Sequence, residues 1–499
     1  MRKRVGVASK GKGVRGCGQG VGRGISRRDL LAVGGATAVS GVLGGTWLVP
    51  SSARGSAGRA AASERITVGL IGHGLMGRGH LRRLAGDRSV QVLAVCDVDG
   101  LRRQSAKAYV EQVYGGERGS GTYRGCVAYK DYRELLRRAD IDAVVIATPD
   151  HWHALQSIDA ARAGKDVYCE KPVSITVRQG RQLVEAVRRY GRVFQNGSQY
   201  RSIPTIRRVC EFIRAGGLGM VKSVFTLWGM LGGFLSRPAF RPYAGLLAEV
   251  EVRRSYVPMD LSFPGEAIPE GLDWDMWVGP ALWRPYNRVY HTNPNPGVVP
   301  WSFCEDFGAG PVTWYHSHSL DVIQYAIGAE TGGPVEVIHP GSGAFPTLTC
   351  RYANGVLLHH VDHWGMVKKV YGAVPADARL EGNFGGVFVG ERGWITSMSA
   401  GGAIEGGPKD IFEELKLATR AVNIGENNHH ENWLECIRTR RQPSSHEEIG
   451  HRGASVGHLV IIAHKLGRSL RWDARRERFV DDAGADRLLS VVKRSPWHS

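Results

Sequence analysis

The chain has 499 residues, 42% of them hydrophobic, enough for two domains with cores of their own. Its formal charge of +18 would suit a nucleic-acid partner, but residues 1–62 hold eleven Lys or Arg against one acid, Asp29, so more than half of that charge sits at the N-terminus. No basic run interleaves with aromatics and no nucleic-acid-reading motif is present, so that class is set aside, and eight singly spaced cysteines without a CxxC pair argue against zinc ribbons and dithiol redox sites.

Residues 1–62 read as an address and a linker. Ser26-Arg27-Arg28-Asp29-Leu30-Leu31 resembles the core of a twin-arginine export signal, with small residues following near 51–53. The apolar run at 30–49 is long enough to span a bilayer, but its Gly, Ser and Thr make it weakly hydrophobic. A cleaved signal is therefore expected, with an exported, periplasmic or extracytoplasmic protein and no stable membrane span after removal. The twin-arginine route carries folded proteins, so it suits a chain that takes up a cofactor before crossing.

Residues 63–196 alternate strand and helix. Strands are predicted at 66–71, 90–96, 143–147 and 166–169, with helices at 101–114, 129–138, 151–163 and 177–190. The first strand is a continuous apolar run, as a parallel strand buried on both faces requires. The repetition predicts a doubly wound, Rossmann-type parallel sheet. From about residue 197 to 499 the texture changes to frequent Gly, Pro and Trp. Candidate strands at 221–228, 335–338, 348–352, 356–361 and 386–389, with helices at 429–438 and 452–466, predict a second, α+β domain around an open, largely antiparallel sheet. His359, His360 and His363 read as strand-surface residues.

The strongest local signal is Gly72-His73-Gly74-Leu75-Met76-Gly77, a G-x-G-x-x-G that follows a strand, opens a helix and has an acid, Asp97, at the end of the next strand. Gly72 allows the tight turn, Gly74 leaves room for a pyrophosphate, and Gly77 lets helix and strand close up. The helix N-terminus offers N–H groups and positive dipole. Asp97 would accept from both ribose hydroxyls of NAD and repel the 2′-phosphate of NADP. NAD is thus expected over NADP, a preference that Arg102 and Arg103 soften without reversing.

"ATPDHWH" (147–153) and "CEKPV" (169–173) follow in order, and "GSQYRS", "GLDWDMWVGPALWRPYN" and "GGVFVGERGWI" come later. Together with the glycine fingerprint they make the chain resemble the glucose–fructose oxidoreductase/inositol dehydrogenase (Gfo/Idh/MocA) family. The resemblance implies that Thr148, Pro149, His151 and His153 line the cofactor cleft. Glu170, Lys171 and Pro172 would lie between nicotinamide and substrate, with the peptide before Pro172 in the cis form usual there, and Gln199 would serve the cofactor side. Lys171 would hydrogen-bond a substrate hydroxyl and take its proton, and Glu170 would orient the lysine or the nicotinamide side. Tyr200, Arg201 and Trp277 would line a sugar pocket. A homodimer or homotetramer is also implied.

The chain departs from the family pattern in its second catalytic element, Gly308-Ala309-Gly310-Pro311-Val312-Thr313-Trp314-Tyr315-His316-Ser317-His318-Ser319-Leu320-Asp321. The glycines, His318 and Asp321 match. Trp314 stands where an aspartate is usual and His316 where a glycine is. His318 is the expected second acid/base, Tyr315, His316 or a residue from elsewhere in the chain would compensate for the lost acid, and Trp314 would stack on a sugar face. The H-x-H pairs at 151–153 and 316–318 are read as non-metal, and no metal is expected. The function implied is NAD-dependent oxidation of a sugar, polyol or glycoside. The alternatives are a redox-neutral, NAD-using glycoside hydrolase and a sugar-binding protein that keeps NAD with altered catalysis.

Overall fold

The structure, a computed structural model, describes residues 64–117, 124–228, 258, 260–291, 300–382, 384–397, 404–421 and 428–497. The export-signal reading falls on 1–62 and lies outside them. None of the described helices is long and apolar enough to cross a membrane.

Six strands form the first sheet: β1 (Ile66–Ile71), β2 (Val90–Cys96), β3 (Val127–Tyr129), β4 (Ala143–Ile146), β5 (Asp166–Cys169) and β6 (Phe194–Asn196). Their order is β3-β2-β1-β4-β5-β6, and every pairing is parallel. Helices α1 (Leu75–Gly86), α2 (Gly100–Glu117), α3 (Tyr132–Leu136), α4 (Asp150–Arg162) and α5 (Val177–Arg189) connect them. The order reverses between β1 and β4, so a crevice opens at the carboxyl ends of these strands, where Gly72, Asp97, Thr148 and Lys171 emerge. The expected helix at 129–138 is corrected. Asp131 caps α3 by accepting from the Arg133 amide, so the helix starts after it, and the residues before it pair along β2 as an edge strand.

The second sheet has nine strands: β7 (Val221–Leu227), β8 (Pro334–Ile338), β9 (Thr349–Tyr352), β10 (Leu357–Val361), β11 (Val387–Gly390), β12 (Trp394–Thr396), β13 (Gly406–Gly407), β14 (Leu470–Asp473) and β15 (Arg478–Phe479). Their order is β13-β12-β11-β7-β10-β9-β8-β14-β15, and only β7 with β10 is parallel. Helices α6 (Pro204–Arg214), α7 (Ser317–Ala326) and α9 (Glu447–Leu466) bury one face, through Val209, Ile213, Leu320, Ile323, Val456 and Leu459 among others. The chain then returns to the first sheet: Trp433, Leu434 and Ile437 of α8 (His429–Thr439) pack with Ile66, Val68 and Val90. Ion pairs stitch α5 to α9, Arg181 to Glu448 at 2.7 Å and Arg188 to Glu447 at 3.0 Å.

His359 and His360 correct the sequence reading, because β10 lies inside the sheet and both of its faces are covered. His359 stacks on Phe225 with ring centroids 4.9 Å apart, and its Nδ1 lies 2.9 Å from the Thr349 hydroxyl. His360 is 1% exposed, and burial pushes its pKa down to about 3. The folded state thus refuses a proton that the unfolded chain binds below about pH 6.5. The stability this histidine permits is complete above pH 6.5 and is lost as pH falls toward 3, at up to about 1.4 kcal/mol per pH unit. Denaturant unfolding of wild type and His360→Leu between pH 7 and 4 is expected to show a shallower pH slope in the variant; parallel slopes would refute the assignment.

Candidate active site

The floor of the crevice is the turn between β1 and α1. Gly72 has φ of +90°, and a Cβ placed on Gly77 would lie 2.0 Å from the Gly72 carbonyl oxygen, so strand and helix approach as closely as the fingerprint requires. At the end of β2 the Asp97 carboxylate accepts from the His73 amide at 2.7 Å and from the Asp99 amide at 2.9 Å, which fixes it beside the loop. Arg103 donates to the Asp97 carbonyl, and Arg102 donates to the His291 carbonyl and pairs with Asp99 at 3.4 Å, so both guanidinium groups are already engaged. Gly72, Gly74, Leu75, Met76 and Asp97 line one cleft. A glycine-lined helix N-terminus with a fixed carboxylate beside it fits a dinucleotide whose ribose is unphosphorylated.

The cleft continues past Thr148, Pro149, Asp150 and His153 to Glu170 and Lys171. His153 ties the ends of β4 and β5 together, its ring nitrogens 2.8 Å from the Thr148 carbonyl and 2.7 Å from the Pro172 carbonyl. The Lys171–Pro172 peptide is cis. Glu170 is buried; Gly197 makes room for it, since a Cβ there would sit 3.0 Å from Glu170 atoms. Its Oε1 lies 2.9 Å from His80 Nε2 and accepts from Gln199 Nε2 at 2.8 Å. Burial would raise this carboxyl, but the His80 hydrogen bond and charge, with Lys171, hold it at about 2. Behind His80 stands His430, 2.8 Å away and stacked on Tyr168.

The opposite wall comes from the second domain. Residues Pro311–Tyr315 form a π-helical turn into α7, and the Trp314 carbonyl there accepts from Lys171 Nζ at 2.7 Å. The ammonium also lies 4.5 Å from the Trp314 ring centroid. Burial pushes the Lys171 pKa down, with Glu170 and Asp150 opposing. His318 is buried under Tyr200, ring centroids 4.4 Å apart, and burial followed by the Lys171 charge drives its pKa well below the usual value. Lys171 from the first domain and His318 from the second thus give the cleft two titratable groups of the kind that exchange protons with a hydroxyl. Trp277, Trp301, Trp314, Tyr315 and Phe384 give this end an aromatic lining.

Most of the residues expected in the site therefore meet in one cleft, but His73, Gly77, His151, Pro172, Gln199, Tyr200 and Arg201 do not line it. His151 turns away, its ring nitrogens against the Phe307 and Trp277 carbonyls. The His73 ring faces the Arg102 carbonyl, and only its backbone amide serves the site, through Asp97. Arg201 is corrected as a substrate residue: it is buried and fully engaged by Asp321 at 2.7 Å and Glu330 at 2.8 Å. Gln199 and Pro172 act behind the cleft wall, on Glu170 and His153, and Tyr200 acts on His318. Sequence reasoning missed His80, His430 and Asp150. His80 lies one turn beyond Gly77 on the same helical face, a spacing that could have marked it; nothing local in the sequence marks His430.

Two family models match the chain: the Gfo/Idh/MocA "Oxidoreductase family, NAD-binding Rossmann fold" over residues 66–198, and "Oxidoreductase family, C-terminal alpha/beta domain" over 257–398 and 404–499. Inositol 2-dehydrogenase of Salmonella typhimurium is 32% identical over 158 residues, which is 31% of this chain and 43% of that protein. A glycosyl hydrolase family 109 protein of Shewanella is 36% identical over 127 residues, 25% of this chain and 27% of that protein. These matches span less than half the length of either relative. Among solved structures, the aldose-aldose oxidoreductase of Caulobacter crescentus superposes with a TM-score of 0.48 at 18% identity, covering 82% of this chain and 99% of that one.

The Glu170 contacts make a direct prediction. His80→Ala removes one donor from a buried carboxylate and should lower the unfolding free energy by about 1–3 kcal/mol. His80→Asn, which keeps a donor, should recover part of the loss. Urea unfolding of the three proteins checks this, and a His80→Ala variant as stable as wild type would show that the contact is dispensable.

Proposed function

Since the chain belongs to the Gfo/Idh/MocA oxidoreductase family, we propose that it is an NAD-dependent enzyme acting on a sugar, polyol or glycoside. The observation that carries this reading is the single cleft that joins the glycine loop and Asp97 at one end to Lys171, His318 and an aromatic wall at the other. The Gly72–Gly77 loop and α1 would hold the pyrophosphate, and Asp97 the adenosine ribose. Bound NAD would supply the hydride acceptor, or an acceptor and donor in turn. Lys171 would leave the Trp314 carbonyl to hydrogen-bond a substrate hydroxyl and take its proton. His318 would hold or return a proton on the other side. Trp314 and Tyr315 offer flat apolar faces suited to the C–H surface of a sugar ring.

A second reading is glycoside cleavage in which oxidation and reduction cancel within each turnover. It is favoured by the likeness to the glycosyl hydrolase family 109 protein and by Trp314 in place of an acid. The two readings part in one assay: purified protein is offered a panel of glycosides and polyols while NADH absorbance and free sugar are followed together. NADH rising with substrate supports net oxidation, whereas free sugar without lasting NADH supports the second reading. Lys171→Ala should lower turnover by about 10²–10⁴-fold while leaving NAD affinity within about threefold. Unchanged turnover would remove Lys171 from the chemistry.

We also propose export by the twin-arginine route and assembly as a homodimer or homotetramer. The Ser26–Leu31 motif supports the first and the family resemblance the second. Retention of an Arg27→Lys/Arg28→Lys variant in the cytoplasm would bear out the route, and light scattering on the purified protein would read the assembly.

A further inference from the structure

The sequence GLDWDMWVGPALWRPYN at 271–287 belongs to the second domain, yet its first residues are bonded to the first domain just beyond β2. The Gly100 amide donates to the Gly271 carbonyl at 3.0 Å and the Asp273 amide to the Val98 carbonyl at 3.1 Å, which pairs Asp99 with Leu272 in an antiparallel bridge. Asp273 also pairs with Lys130, just beyond β3, at 2.9 Å. The chain then returns to the same loop: the His291 carbonyl accepts from Arg102 at 3.0 Å, and His291 Nε2 lies 3.2 Å from Asp99 Oδ2. Residues 98–102 directly follow Asp97, whose carboxylate stands where a dinucleotide fold receives the adenosine ribose.

We propose that residues 271–291 are a strap that closes the adenosine end of the cleft over bound NAD, so that the cofactor stays on the protein through successive turnovers as a resident group. The inference rests on NAD binding and not on which reaction follows it. Met276, Trp277 and His291 of this segment line the same cleft as Gly74, Asp97 and Val98, so both domains build its wall. A nucleotide bound to the glycine loop and Asp97 therefore shares its cleft with side chains of the strap. Parting the strap from residues 98–102 would open that end.

The strap is also held from behind. Its short helix, Trp274–Val278, is capped by Asp273, whose carboxylate accepts from the Met276 amide at 3.0 Å. Trp274 and Trp277 stack with ring centroids 4.6 Å apart, in an aromatic cluster with Tyr286, Tyr290 and Phe307. The Trp277 carbonyl accepts from the Trp152 indole at 3.0 Å, and a Cβ on Gly279 would run into that indole, so the segment is pressed on α4 as well. Swinging it away would break backbone hydrogen bonds and expose apolar rings, which makes opening rare and release slow. A hinged surface loop, by contrast, can clear its site at every turnover. A cofactor fixed in this way would also leave with the folded chain on the export route proposed above.

The test follows the nucleotide itself. The full chain is purified and loaded with NAD, and exchange of the bound NAD for isotope-labelled NAD is timed by desalting and mass spectrometry. Wild type is expected to carry its nucleotide through gel filtration and to exchange it with a half-time of minutes or longer. Gly100→Pro removes the amide that bonds Gly271 and sets a ring against the Gly271 carbonyl, at the first position of α2, where a helix accepts proline. Its NAD off-rate should rise about tenfold. Its Kd should change by less than about threefold, since a parted strap speeds entry as well as exit. Asp99→Cys/Leu272→Cys sets two thiols at the bridge pair, where facing residues suit a disulfide, and serves if Gly100→Pro does not fold. Oxidised, this variant should exchange NAD about tenfold more slowly than when reduced. Wild-type NAD that exchanges within seconds, or off-rates that neither variant moves, overturns the strap while NAD binding stands. A protein that binds no NAD overturns both.

Discussion

The buried carboxylate of Glu170 is the constraint around which the cleft is arranged. An ionised group inside a protein is tolerated only when its lone pairs are met by donors. Here His80 comes from α1, the Gln199 amide from the connection into the second domain, and the Lys171 amide from the residue that follows. One anion thus fixes the helix that opens on the glycine loop, the lysine that faces the substrate space, and the start of the second domain. His430 then links His80 to α8, which packs on the first sheet. The nucleotide end and the reacting end of the cleft are positioned by the same small polar core.

That arrangement explains how Trp314 can occupy an acid's position. With Glu170 already ionised beside Lys171, a second ionised carboxylate on the π-turn would have added like charge next to it. The indole instead offers a ring face and a backbone carbonyl, both of which an ammonium can use. Lys171 is parked without a new buried charge. A hydroxyl entering the cleft competes with a carbonyl for it, not with a carboxylate, and that competition is the easier one to win.

The first domain was legible almost in full because its signals are local. Continuous apolar runs marked β1, β2 and β5 at their observed limits, and the glycine spacing with Asp97 marked the cofactor floor. The edge strands β3 and β6 were missed because three residues carry no periodicity. Five of the nine strands of the second sheet were legible, the short β12, β13, β14 and β15 were not, and neither was the strand order, since β7 pairs with β10 and β11 across more than a hundred residues. His359 and His360 were misplaced because a strand's own sequence does not say how many of its faces are covered. His80 and His430 are 350 positions apart in the chain and 2.8 Å apart in space, so their pairing belongs to the fold alone.

Arg201 and Asp321 show how a motif match can carry fold and not chemistry. Asp321 fits the family's second element, and Arg201 was expected to line the sugar pocket. In the structure the two neutralise each other in the interior, Arg201 Nη2 to Asp321 Oδ1 at 2.7 Å, with the Ser198 hydroxyl donating to Asp321 Oδ2 at 2.8 Å. The pair locks the residues after β6 to α7, the helix that begins with His318 in its first turn. Its role is geometric: removing Arg201 would leave the buried Asp321 without its cation and loosen the element that carries His318, while removing Asp321 would leave Arg201 with Glu330 alone. The two ends of the Gly308–Asp321 segment thus do different work. The π-turn meets the lysine, and the helix that follows packs on the second sheet and is tied to the residues after β6.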